Sequence, residues 1–202
     1  MNFLLVPDKF KGSLSAKQVV AAISSAISVI YPRAHVYSVS ASDGGDGFLD
    51  SVRSYVELET IKTATTDPLG RKISTEYLIN PQTGEAYIEL AKASGMELLS
   101  DEQRNPMLTS TAGTGIQIRD AILNGADKIY IGLGGSATNE AGLGIATACG
   151  FSFLDEYGNT LKPIGKNLSK ISSIKPSKFL KEYKNLKIYA INDVDNPLFG
   201  PK

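Results

Sequence analysis

The 202-residue sequence predicts an α/β fold: a doubly wound, mostly parallel sheet with a β-rich antiparallel section. Three observations carry this. Short apolar runs of strand length alternate with stretches of helical period, glycine-rich loops leave the ends of those runs, and residues 56–91 turn into strand-like segments split by tight turns. Residues 2–6 read as a buried strand. After the loop 7–14, Ser15-Ala16-Lys17-Gln18 forms a capping-box pattern that opens a helix, and Val19, Ala22, Ile23, Ala26, Ile27 and Ile30 recur at its spacing until Pro32. Residues 34–39 return as a second strand, completing a βαβ unit.

The middle of the chain reads differently. Residues 59–66, 73–79 and 86–90 are strand-like, punctuated by Asp67-Pro68-Leu69-Gly70 and Asn80-Pro81-Gln82-Thr83-Gly84, which gives an antiparallel meander. A helix is expected over 114–123 with Gly125 at its C-terminal cap. Strand 128–131 then opens into a glycine-rich turn and a small-residue helix closed by Gly150. Residues 151–154 and 186–191 are the last strands. Residues 1–55 and 100–202 are therefore expected to be α/β, and 56–99 β-rich.

Composition narrows the function classes. Lys+Arg and Asp+Glu are both 21, so no net field draws in nucleic acid or anionic membrane. Eight lysines crowd 162–187 beside a single acid, Glu182, and are expected to form a solvated surface. The lone Cys149 follows an apolar run and reads as a core thiol, which fits a reducing, cytoplasmic setting. No apolar run approaches the ~20 residues of a membrane span, and residues 1–6 are too short for a signal peptide. With one histidine, His35, and no Cys/His cluster, zinc sites and histidine-dependent hydrolase triads are excluded.

Four loops leave the C-terminal ends of expected strands, where doubly wound sheets bind ligands. Residues 7–13 bring Lys9, Lys11 and Ser13 to a helix N-terminus, a setting that suits phosphate or a plain capped loop. Residues 42–47, Ser-Asp-Gly-Gly-Asp-Gly, place Asp43 and Asp46 among glycines, where they can hold magnesium, accept a proton or form an acidic turn. Residues 132–139, Gly-Leu-Gly-Gly-Ser-Ala-Thr-Asn, lead a strand into a turn that can aim backbone amides at phosphate. The same residues satisfy a loose dinucleotide fingerprint, Gly132-x-Gly134-x-x-Ala137, with Asp155 where a ribose-binding acid would stand, so an NAD-dependent oxidoreductase is the rival reading. Asp193 and Asp195 alternate at period two, which in a strand would turn both carboxylates to one face as a base or metal ligand.

Taken together, the loops resemble the bacterial-type glycerate kinase family. The resemblance runs in order through residues 7–16, Asp43-Gly44-Gly45-Asp46-Gly47, Asp67-Pro68-Leu69-Gly70-Arg71, residues 89–98, Arg104-Asn105-Pro106, Thr111-Ala112-Gly113-Thr114-Gly115, residues 131–139 and residues 193–198. It departs at Asp46, where the family has Glu, at Glu140-Ala141 in place of Asp-Gly, and at Asn192 in place of Cys. What the resemblance implies is a two-domain kinase fold in the cytoplasm, with ATP and Mg²⁺ as cofactors and D-glycerate as acceptor, 2-phosphoglycerate being the favoured product. It also implies a chain about twice as long, so these residues are expected to be one portion of it, and a non-catalytic ligand-binding remnant is a further reading. On this resemblance Lys9 and Lys11 with Ser13 would meet phosphate or carboxylate charge. The amides of Gly134, Gly135 and Ser136 would cradle the nucleotide phosphates. Asp193 or Asp195 would act as base, and Asp43 with Asp46 would position Mg²⁺, the last two roles being exchangeable.

Overall fold

A computed structural model describes residues 1–8, 10 and 13–195. They fall into two compact units, residues 1–42 and residues 43–202. The first unit is the expected βαβ: β1 (Asn2–Leu5), α1 (Ala16–Ile30) and β2 (His35–Ser38), with β1 and β2 parallel from Asn2↔His35 to Leu5↔Ser38. The capping box forms as read. Ser15 Oγ accepts from the Gln18 amide at 3.3 Å, and Gln18 Oε1 accepts from the Ser15 amide at 2.8 Å. Tyr31 caps the far end, where Pro32 cannot continue the helix. The expected burial of β1 does not hold: its residues alternate between exposed and half-buried, and Leu4 is 63% exposed. A lone helix cannot cover both faces of two strands within this unit.

The second unit holds α2 (Phe48–Arg53), β3 (Glu59–Thr66), β4 (Lys72–Asn80), β5 (Glu85–Glu89), α3 (Ala91–Ser94), α4 (Ala112–Leu123), β6 (Lys128–Gly132), α5 (Leu143–Ala148), β7 (Ser152–Leu154), β8 (Ser173–Lys175) and β9 (Lys187–Ile191). Five strands form one mixed sheet in the order β3-β4-β5-β6-β9, antiparallel from β3 to β5 and parallel from β5 to β9. The meander thus continues into the parallel strands instead of standing apart, because β5 pairs with β6 along its whole length. β7 and β8 make a separate antiparallel pair. The turn after β3 closes on Asp67, whose carboxylate accepts from the Leu69 and Arg71 amides at 2.9 Å each and pairs with the Arg71 side chain.

One face of the sheet carries the main core. Tyr77, Ile79, Ala86, Ile88, Ile129 and Ile131 pack with Ile118, Ala121 and Ile122 of α4 and with Cys149, which is buried as expected and whose thiol burial pushes up in pKa. Each buried Ile or Leu contributes roughly 1.5–3 kcal/mol, so this layer holds the strand ends in place. On the opposite face Phe48 and Leu49 of α2 pack with Leu78, Tyr87 and Tyr130. All eight lysines of 162–187 are exposed, as their crowding suggested. Among the described residues no helix is long and apolar enough to cross a membrane.

Candidate functional site

The parallel strands β5, β6 and β9 finish level with one another, Glu89 beside Gly132 and Gly132 beside Ile191. That shared end is where the sheet stops supplying backbone partners, so the loops beyond it must supply their own. They do so by lacing together. The Leu90 amide donates to Gly132 O at 3.0 Å, the Leu133 amide to Ile191 O at 3.1 Å, and the Gly134 amide to Gly44 O at 2.9 Å. Beyond them Met96 N donates to Gly135 O and Ala137 N to Ser94 O, both at 2.9 Å, which pins the turn against the start of the next segment.

Glycine is required at two of these positions by the closeness of the chains. A side chain on Gly134 would place its Cβ 2.3 Å from Gly45 Cα. Gly135 has φ +72°, and a Cβ there would sit 2.7 Å from Asp46 Oδ1. The Asp46 carboxylate therefore lies directly against the glycine turn. Asp43 closes its own loop, accepting from the Gly45 amide at 2.7 Å. Ser136 Oγ accepts from the Thr138 amide at 3.2 Å and shares a 2.9 Å hydrogen bond with the Thr138 hydroxyl.

Two buried carboxylates that sequence reasoning gave no role stand behind these loops. Glu89, 3% exposed, accepts from the Gly47 and Leu49 amides at 3.2 Å each, and so ties the Asp43–Gly47 loop to the end of β5. Burial raises its pKa; the Leu49 and Gly47 amides and Lys92 oppose that shift, and Asp46 adds to it. Glu140 accepts from the amides of Thr111, Gly142 and Gly144 and from the Thr111 hydroxyl, joining the N-termini of α4 and α5 just past the glycine turn. The available signal for Glu89 was a carboxylate closing an apolar run, a costly place for a charge without donors.

The sequence-predicted residues divide as follows. Asp43, Asp46, Gly134, Gly135 and Ser136 come together in the second unit. The Gly134 N–H is already spent on Gly44 O, so this residue's place in the turn rests on its lack of a side chain and not on a free amide. Asp193 and Asp195 are exposed and follow β9, which ends at Ile191. The two-residue alternation of a strand therefore does not orient them. The loop turns instead on Asn192, whose side-chain amide donates to Val194 O. Ser13 belongs to the first unit, and Lys9 and Lys11 lie outside the described residues. Asp155 follows β7, outside the five-stranded sheet, and its carboxylate is occupied by the amides of Tyr157 and Asn159; the dinucleotide fingerprint thus lacks its ribose-binding acid.

Among the described residues no group of three or more His, Cys, Asp or Glu side chains could hold a metal on its own. Mg²⁺ does not need one, since it keeps several waters and takes one or two carboxylates together with substrate phosphates. Asp46 against the Gly135 turn, with Asp43 in the same loop, supplies carboxylates of the kind that donor set needs.

Comparison with known proteins gives a consistent picture. A sequence model of the glycerate kinase family matches residues 3–202. The chain is 38% identical to a glycerate kinase of Bacillus subtilis (strain 168) over 202 residues, all of this chain and 53% of that one. It is 37% identical to the glycerate 2-kinase of Escherichia coli (strain K12) over 200 residues, 99% of this chain and 52% of the other. Among solved structures, glycerate kinase 2 from Salmonella typhimurium LT2 superposes with a TM-score of 0.80 at 36% identity, covering 99% of this chain and 54% of that one. The chain spans about half the length of the curated relatives it matches, and corresponds to their N-terminal half.

Proposed function

Because the chain belongs to the glycerate kinase family, we propose that it carries the phosphate- and metal-handling part of an enzyme that moves the γ-phosphoryl group of ATP to D-glycerate. The observation that supports this best is the joining of two loops within one unit, with the Asp46 carboxylate set against the Gly135 turn. Phosphoryl transfer asks the protein for little covalent chemistry; positioning and charge neutralisation do most of the work. In this reading the amides of Gly135 and Ser136 hold phosphate oxygens. Asp43 and Asp46 would hold a Mg²⁺, which would neutralise phosphate charge, and Lys9 and Lys11 with Ser13 would meet phosphate or the glycerate carboxylate. A glycerate hydroxyl oxygen attacks the γ-phosphorus and gives its proton to Asp193 or Asp195, while the bond from phosphorus to the ADP oxygen breaks. The name of the Escherichia coli relative favours 2-phosphoglycerate as product. Cytoplasmic work suits both the nucleotide and the buried free thiol of Cys149.

Calorimetric titration of the 202-residue chain with ATP, with and without Mg²⁺, tests this reading. Saturable binding that needs Mg²⁺ and weakens at least tenfold in Asp46→Asn is expected. Binding of NADH in place of ATP, or of neither nucleotide, overturns it.

A further inference from the structure

On the α2 face of the sheet lies a groove of about 370 Å³ lined by Lys62, Ser74, Thr75, Glu76 and Lys92. Strand alternation puts Lys62, Ser74 and Glu76 on that face. Lys62 of β3 and Glu76 of β4 stand directly opposite each other, and Glu76 and Ser74 precede Leu78 at two-residue steps, Leu78 being packed with Phe48 and Leu49 of α2. Lys92 comes from α3, just beyond β5. Glu89 responds to both the Lys92 ammonium and the Asp46 carboxylate, so the groove opens beside the Asp43–Gly47 loop.

The groove is short of negative charge. Glu76 is its single carboxylate, and its Oε1 already accepts from Arg53 at 2.9 Å. Gln117 donates to the Glu76 carbonyl at 3.0 Å and fixes the strand from the other face. Lys62 thus stands opposite a carboxylate committed elsewhere, and among the described residues neither Lys62 nor Lys92 forms an ion pair. Two ammonium groups on one concave surface focus a positive potential and draw a counter-ion. Glu76 Oε2 and the Ser74 hydroxyl are open to further hydrogen bonds. Cations for an anionic head, beside an acceptor for hydroxyl protons, suit a hydroxy acid better than a bare anion, which the Glu76 carboxylate would repel.

We propose that this groove binds a small hydroxy acid, with Lys62 and Lys92 on its carboxylate and Glu76 and Ser74 on its hydroxyl groups. The site is additional to Lys9, Lys11 and Ser13, and rests on the kinase reading only for D-glycerate as its probe.

The test is a nuclear magnetic resonance titration of the ¹⁵N-labelled 202-residue chain with D-glycerate, without nucleotide. Saturable shifts should centre on the amides of Lys62, Ser74, Glu76 and Lys92. Lys62→Gln and Lys92→Gln alter exposed side chains, so each should keep the circular-dichroism melt of the parent and raise the Kd for D-glycerate about fivefold or more. Propionate, of the same carbon count but without hydroxyl groups, should bind about fivefold more weakly or less still. Absence of saturable binding overturns the proposal, as does binding that both lysine substitutions leave unchanged. Propionate or inorganic phosphate bound as tightly as D-glycerate overturns it too, by reducing the groove to an unselective cationic surface. Because nucleotide is left out, failure here and failure of the ATP titration are separate results.

Discussion

Ala141 holds a left-handed backbone, φ +55°, at a position where an L side chain crowds the following carbonyl. The cost of that conformation is about 1–2 kcal/mol, less what glycine would lose through its freer unfolded chain. Ala141→Gly should therefore stabilise the protein by about 0.5–1 kcal/mol, a rise of roughly 1–4 °C in Tm. A melt at or below the parent Tm would show that the surrounding turn carries no such strain. Glu89 gives a second prediction, one of pH. Its folded pKa is raised by burial, so the folded chain binds this proton more tightly than the unfolded chain. The stability this confers is complete below the ordinary glutamate pKa and is lost as pH climbs through the raised value. Glu89→Gln keeps an oxygen for the Gly47 and Leu49 amides but cannot ionise. Urea melts from about pH 4 to pH 8 should thus show the variant gaining on the parent as pH rises. A constant difference across that range would remove Glu89 as a titrating group.

At the scale of elements, α4 and α5 approach so closely that glycine forms part of their contact. A Cβ on Gly144 would stand 2.3 Å from the Ala112 nitrogen and 2.5 Å from Ser110 Oγ, and one on Gly115 would stand 2.7 Å from Ile145 Cα. Backbone cannot move aside as a flexible side chain can, so Gly144→Ala should cost about 1–3 kcal/mol by chemical denaturation, through forced separation of the two helices. A loss below about 0.5 kcal/mol, the scatter of surface substitutions, would contradict that packing. Such elements were legible where local physics decides them. The Ser15–Gln18 box, the end at Pro32, the antiparallel strands on either side of Asp67-Pro68-Leu69-Gly70 and the strand before Gly132 all follow from capping, turn chemistry and period. What escaped depends on distant partners. α2 is only six residues long, too short to show a period, and it is held by Glu89, 40 residues further on. Glu140 looks like one more surface acid until Thr111, 29 residues away, arrives to donate to it. Asp193 and Asp195 misled for the opposite reason: their spacing imitates a strand that stops at Ile191.

For the whole molecule, the expectation was that four loops share one rim. Two of them, 42–47 and 132–139, do meet, through the Gly134 amide on Gly44 O, and the loop after β9 starts at a strand end level with that of β6; β1 and β2 form a sheet of their own, so the loops do not all leave one sheet. The two units differ sharply in how much they bury. Among the described residues of 1–42, Val19 is the one buried hydrophobic side chain, whereas the second unit holds a continuous core from Tyr77 to Cys149. Local opening costs least where few apolar contacts must be broken, and a two-stranded sheet is marginal on its own. Native-state hydrogen exchange should therefore be graded. The amides of β4, β5 and β6 open only with the global transition, since these strands are flanked on both sides and covered by α4. The amides of β1 and β2 open locally and should exchange at least tenfold faster, and adding denaturant should accelerate them far less, because little surface is exposed when they open. Equal protection and equal denaturant dependence in β1 and in β5 would mean that residues 1–42 unfold only with the rest, and that their stability comes from contacts beyond their own 42 residues.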